Sequence, residues 1–178
     1  INQPTEMVYD TAYNHVDCFG NATGNAQMNV SGGTPPYVYV WSNGSSSSEI
    51  ANIPAGMYSV TVYDSNGCWV TESFQITQPD PLLVSFVENM AICQGQIVNL
   101  MATPVGGTAP YTIYWSNGGA YTAGPEVQAM SPDETTVYSV YVEDAHGCTS
   151  PVEDMTLTIS PTMSLDLIVD DNSCNAAL

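Results

Sequence analysis

Tyr37-Val38-Tyr39-Val40-Trp41 and Tyr58-Ser59-Val60-Thr61-Val62-Tyr63 alternate with period two, and nearly every position is β-branched or aromatic. Successive side chains of a strand point to opposite faces, so this period predicts half-buried strands. Between such runs stand Asn43-Gly44, Asn66-Gly67, Asn117-Gly118 and His146-Gly147, which supply the left-handed backbone that tight hairpins need. Helix-forming runs are scarce. The pattern predicts an all-β fold of antiparallel β-sandwich units, each of about seven short strands.

The pattern occurs twice. Cys18 leads to Gly32-Gly33-Thr34-Pro35-Pro36-Tyr37, then Trp41-Ser42-Asn43-Gly44, then Tyr58-Ser59-Val60 and Asp64-Ser65-Asn66-Gly67-Cys68. Cys93 leads in the same order to Gly106-Gly107-Thr108-Ala109-Pro110-Tyr111, Trp115-Ser116-Asn117-Gly118, Tyr138-Ser139-Val140 and Asp144-Ala145-His146-Gly147-Cys148. The offset is 75 at the first cysteine, 74 at the tryptophan and 80 at the second cysteine. The second copy therefore carries extra residues between Gly118 and Tyr138, around 120–135.

Gln3-Pro4, Gln78-Pro79 and Ser160-Pro161 each precede a short apolar run that ends at Cys18, Cys93 or Cys174. The units read as 1–79 (core 18–78), 80–160 (core 93–159) and, from 161–178, the start of a third. The chain reads as a mature or excised segment cut inside a unit at both ends.

This frame arranges the five cysteines as two pairs, Cys18 with Cys68 and Cys93 with Cys148, one bridge per unit. Cys174 is then the first member of a pair completed by a later unit or a neighbouring chain. A unit this small is marginal on its core alone, and a bridge closing a loop of about 50 residues adds roughly 4 kcal/mol in the chain-entropy treatment. Such bridges place the protein in an oxidising compartment outside the cytosol. Trp41 and Trp115, at equivalent places, are expected in the core beside their bridges as in immunoglobulin-like sandwiches; a carbohydrate-stacking platform is the alternative.

Charge narrows the partners. There are 18 acidic residues and no Lys or Arg in 178. At ordinary usage a chain this long lacks all basic residues on the order of once in ten billion times, so the bias is not accidental. Without basic residues there is no footprint for phosphate backbones or anionic lipid, which excludes nucleic-acid and membrane-surface binding. The net charge of −18 discourages edge-to-edge strand pairing. No apolar stretch is long enough for a membrane helix, and no basic region precedes an apolar run as in a signal peptide.

No catalytic constellation emerges. His15 and His146 are the only bases suited to neutral pH, and neither recurs in the other unit, so the chain is read as no enzyme. Asp64, Asp170 and Asp171 offer the hard oxygens that calcium takes, but full calcium-loop spacing is missing, and Asp-x-x-Gly before Cys is more simply a hairpin turn. No cofactor and no metal are expected, with calcium the weak alternative. Covalent glycans fit better: Asn21, Asn29 and Asn43 head acceptor triplets.

At GGTPPYVYVWSNG, AGMYSVTVYDSNGC and ITQPDPL the chain resembles the SprB repeat, the tandem module of large surface adhesins of gliding Bacteroidota. The resemblance covers nearly the whole chain, more loosely in the second unit, where Val105 intervenes before the Gly pair and 120–135 is inserted. It implies tandem immunoglobulin-like domains, exported and displayed in long arrays for adhesion or gliding motility, with no enzyme activity. The insertion is expected to make an inter-unit or inter-chain contact. Bacteria of that group use O-linkage at Asp-Ser/Thr, which adds Thr11 and Ser65 as candidate glycosylated residues. The functional expectation is a structural segment of an extracellular adhesin or fibril, stacked end to end into a rod-like filament or stalk. Its partners would be identical units in the same chain or head-to-tail neighbouring chains, with residues near 160–178 completing a neighbour's sandwich in one variant. The alternatives are a polysaccharide- or cell-binding module and an accessory domain of a secreted hydrolase.

Overall fold

Period two becomes burial. In β5 (Gly56–Tyr63) Val60 and Val62 are fully enclosed, and in β13 (Thr136–Glu143) Val140 and Val142 take the equivalent places, with Tyr138 buried beside them. The computed structural model describes residues 5–86 and 88–160. Among them every regular element is a strand, and no helix is long and apolar enough to cross a membrane.

Strands β1 (Val8–Asn14), β2 (Gly24–Ser31) and β4 (Glu49–Ile53) form one sheet; β3 (Val38–Trp41), β5 and β6 (Trp69–Ile76) form another. Between them lies a core of Val16, Ala26, Met28, Trp41, Ile50, Ile53, Val60, Val62, Phe74 and Ile76. Further along, β12 (Val127–Met130), β9 (Val98–Val105) and β7 (Leu83–Phe86) face a five-stranded sheet of β11 (Thr122–Gly124), β10 (Thr112–Ser116), β13, β14 (Glu153–Ser160) and β8 (Met90–Cys93). That pair of sheets encloses a separate cluster built on Leu100, Trp115, Val140, Val142, Met155 and Leu157. Each cluster draws only on its own half of the chain, so two immunoglobulin-like sandwiches follow one another. All ladders are antiparallel except β8 with β14, which is parallel.

The strand count differs from the expected seven: six in the first half and eight in the second among the described residues. The 120–135 insertion accounts for part of this. Instead of reaching to the other unit it folds onto its own sheet, where β11 pairs with β10 as an added edge. Gly124 makes this fit, since a Cβ there would lie 2.8 Å from the Trp115 ring.

Both tryptophans are core residues, 2% and 4% exposed, and each indole N–H is satisfied by a carbonyl, Ser47 O at 2.7 Å and Pro125 O at 3.0 Å. The platform alternative is overturned for them. Trp69, by contrast, is 64% exposed.

The ladders define two ends for each sandwich. In the first, the β1–β2 loop, the β4–β5 turn and the end of β6 share the lower end, because Asn14 pairs with Asn25, Gly24 with Ile53 and Gly56 with Ile76. Eight rungs away, past Tyr63 and Trp69, the 64–68 turn lies at the upper end. The second sandwich has the same polarity: Leu83 pairs with Val105 and Thr112 with Glu143 at its upper end, and Cys93 with Ser160 at its lower end.

Candidate functional site

The recurrent motifs converge on the sandwich ends, so the candidate site is the joint between the two units. The Asp-x-x-Gly-Cys segment is a clamp. Asp64 Oδ1 accepts the N–H groups of Asn66 (2.9 Å) and Cys68 (2.8 Å), and its Oδ2 accepts that of Thr34 (3.0 Å). Asp144 repeats this with His146 (2.9 Å), Cys148 (3.0 Å) and Thr108 (2.9 Å). Each carboxylate thus ties the hairpin tip to the Gly-Gly-Thr segment and sets the position of the cysteine that follows. The Asp64 oxygens accept backbone N–H groups, as the hairpin-turn reading expects; Asp170 and Asp171 lie outside the described residues.

Burial alone would raise the carboxyl of Asp64, and the N–H bonds from Thr34, Cys68 and Asn66 outweigh it, holding it below the ordinary value of 3.8. Asp144 is held down in the same way: burial raises it, and bonds from Cys148, Thr108 and His146 outweigh that. A carboxyl whose folded-state value is lowered contributes stability above its unfolded value, and that contribution is lost as pH falls through the lowered folded value. Differential scanning calorimetry is therefore expected to show the double variant D64N/D144N melting well below the parent at neutral pH. The gap should narrow as pH falls below the ordinary carboxyl value of 3.8 and through the lowered folded-state values, where the parent's carboxylates also take up protons. An unchanged gap across that range would contradict the clamp.

The Gly-Gly pair explains itself at this end. Gly106 has φ 74° and a Cβ on it would lie 2.0 Å from Pro81 O, so only glycine lets the incoming linker pass. Gly107 N–H then donates to Asp80 O at 3.0 Å, and Tyr111 Oη–H closes the segment on Gly106 O at 2.7 Å.

From the lower end of the first sandwich comes Cys18, in a turn where Asn21 N–H donates to Cys18 O and Gly20 has φ 77°. This loop is fastened to the start of the linker: Gly20 N–H donates to Gln78 Oε1 at 2.9 Å, Val16 N–H to Thr77 O at 3.0 Å, and Thr77 N–H to His15 Nδ1 at 3.1 Å. Upper and lower ends meet there. Cys18 is disulfide-bonded to Cys148, with Cα atoms 5.7 Å apart across a separation of 130 residues. A cleft of about 420 Å³ opens beside the bridge, lined among others by Phe19, Asn21, Pro79, Leu83, Thr149 and Pro151.

This corrects both expected bridges. Cys18 and Cys68 lie at opposite ends of one sandwich, separated by an eight-rung ladder of roughly 24 Å, whereas a disulfide needs Cα atoms within about 7 Å. The same polarity separates Cys93 from Cys148. The bridge therefore joins the units rather than closing each of them, and the tryptophans have no bridge inside their own core to pack against. Cys68 and Cys93 are exposed and unbridged; Cys174 lies outside the described residues.

The glycan candidates scatter. Asn21, Asn29, Asn43 and Ser65 are exposed, Asn21 at the cleft and Ser65 at the upper turn of the first unit. Thr11 is corrected: its hydroxyl is buried on β1 without a partner, closed to a glycosyl donor in the folded chain. Among the described residues no three metal-binding side chains cluster.

The family model described as the SprB repeat matches residues 14–46 and 100–120. Each segment carries the Gly-Gly-Thr-x-Pro-Tyr and Trp-Ser-Asn-Gly motifs of one unit. No curated protein sequence matches the chain. Among solved structures, fibronectin(III)-like modules of Clostridium thermocellum CbhA are similar at 12% identity, over 85% of this chain and 95% of that one, with a TM-score of 0.42. The extracellular domains 3–5 of Drosophila OTK match at 14% identity over 76% of this chain, TM-score 0.42. An eight-domain immunoglobulin fragment of Down Syndrome Cell Adhesion Molecule matches at 12% over 88% of this chain, TM-score 0.44. The chain spans 55% of the OTK fragment and 25% of the latter.

Proposed function

We propose, from the premise that both halves of this chain carry SprB repeat sequence, that it is a structural segment of an extracellular bacterial surface adhesin or fibril. The observation that carries this is the joint. Successive units are connected twice, by the Gln78-Pro79-Asp80-Pro81 linker and by the Cys18–Cys148 bridge. A connection at one point swivels, whereas one at two points resists both swivelling and pulling apart. A shaft held out from a cell needs that property, and an accessory domain on a flexible tether does not. The chemistry repeated in both units, carboxylate clamp, glycine pair and end cysteine, serves the joint, and none of it forms a catalytic group. Display for adhesion or gliding and a glycan coat belong to this reading.

Electron microscopy of a longer natural array is the test: units in a straight row with a constant repeat are expected, and a bead-on-string chain with freely varying angles would sink the reading. A reduced sample should bend more, because the linker alone then connects the units.

Polysaccharide binding has one observation behind it. Tyr114 and Tyr141 stack at 4.8 Å on the outer face of the second unit, and Tyr121 meets Tyr141 edge-on at 4.9 Å. Val40 and Thr61 stand at these places in the first unit, so such a platform would belong to one unit and not to the array.

A further inference from the structure

Cys68 and Cys93 are the two unbridged cysteines among the described residues, and they sit at the two outer ends of the tandem. Each is held as its bridged counterpart is held. At Cys68, Asp64 N–H donates to Cys68 O at 2.8 Å and Gly67 N–H to Asp64 O at 3.0 Å; at Cys148 the same bonds are 2.9 and 3.0 Å. At Cys93, Gln96 N–H donates to Cys93 O at 3.1 Å with Gly95 at φ 80°; at Cys18 the bond from Asn21 is 3.2 Å with Gly20 at φ 77°. The upper end of the first unit and the lower end of the second thus present the two halves of the joint already seen closed in the middle. Each end also exposes one large apolar side chain: Trp69, beside Cys68, is 64% exposed, and Ile97, shortly after Cys93, is 73% exposed.

We propose that the lower end of one tandem docks on the upper end of another copy of the unit and is locked there by a Cys93–Cys68 disulfide, so that the bridge repeats along the whole array. The occupant is a second copy, because an upper end on a lower end is the pairing the structure already contains. This inference rests on the shaft reading and says how the shaft is locked. The bond forms by exchange with an external disulfide of the glutathione or oxidoreductase class. The Cys93 thiolate attacks that disulfide and releases one thiol. The Cys68 thiolate of the second copy then attacks the mixed disulfide, forming the Sγ–Sγ bond and releasing the second thiol. Two protein thiols are oxidised, and one external disulfide is reduced by two electrons.

The test uses the full chain with Cys174→Ser, carrying either Cys68→Ser or Cys93→Ser, in oxidised glutathione at a salt concentration that screens the negative charge. Each variant alone is expected to stay monomeric, and their mixture to give a dimer whose linked peptides contain Cys93 and Cys68, in at least about tenfold higher yield. Retention of the Cys18–Cys148 bridge in each variant is the control for folding. Equal dimer yields with the separate variants, through Cys93–Cys93 or Cys68–Cys68, would show collision rather than docking and overturn the proposal. So would no dimer in the mixture; a straight shaft in micrographs alongside that result would leave the functional reading standing.

Discussion

Replacing Cys148 by serine is expected to destabilise the second unit by roughly 4 kcal/mol, while replacing Cys68 leaves both units of this chain as they were. The reasoning follows from where the bridge runs. With the first unit folded, Cys18 sits beside the linker, fastened to it through Gln78 and Thr77. A bridge from there to Cys148 closes the whole second unit from its first strand to its last hairpin, a loop of about 70 residues. Seen from the other side, with the second unit folded, the same bridge closes the first unit from Cys18 to the linker, about 60 residues, with a similar stabilisation. One disulfide thus constrains the unfolded state of either neighbour, and an array with one bridge per joint holds only one staple fewer than one with a bridge per unit. Urea unfolding of C148S and C68S separates the two arrangements. Were the bridge inside each unit, C68S would lose as much as C148S.

Trp115→Ala is expected to cost about 3–5 kcal/mol and to act on one unit only. Trp115 is 4% exposed, meets Phe86 edge-on at 5.6 Å, and loses with its indole the bond to Pro125 O that anchors the insertion. A cavity of that size is comparable to the whole stability of a small unit. Calorimetry should show the transition of the second unit falling by roughly 15–30 °C, with the first unit's transition, resting on Trp41 and Met28, in place. Loss of both transitions together would mean that the two cores unfold as one.

Strands, turns and repeat were legible because they rest on local chemistry. Alternating Tyr and Val marked β5 and β13, Asn66-Gly67 and Asn117-Gly118 marked turns between paired strands while Asn43-Gly44 turns the chain from one sheet to the other, and the cores contain the tryptophans the repeat singled out. The cysteine pairing was not legible from the repeat, since an offset says which cysteines are equivalent and not which ones meet. A signal was nevertheless present. Between Cys18 and Cys68 the chain climbs through β2, descends through β3 and β4 and climbs again through β5. Three passes, an odd number, leave the two cysteines at opposite ends. Cys68 directly after an Asn-Gly turn also marks a hairpin tip rather than the inward face of a strand. That the insertion folds back on its own unit was not legible, because Gly124 and Pro125 gain meaning only once Trp115 is placed beside them. The enclosure of the Thr11 hydroxyl likewise depends on tertiary packing that no short acceptor pattern encodes.

Disulfide mapping of the unreduced protein tests the joint most directly. The chain has no Lys or Arg for trypsin, so cleavage at acidic residues followed by mass spectrometry is the suitable measurement. A linked pair of peptides containing Cys18 and Cys148 is the expected result. Peptides linking Cys18 to Cys68, or Cys93 to Cys148, would contradict it.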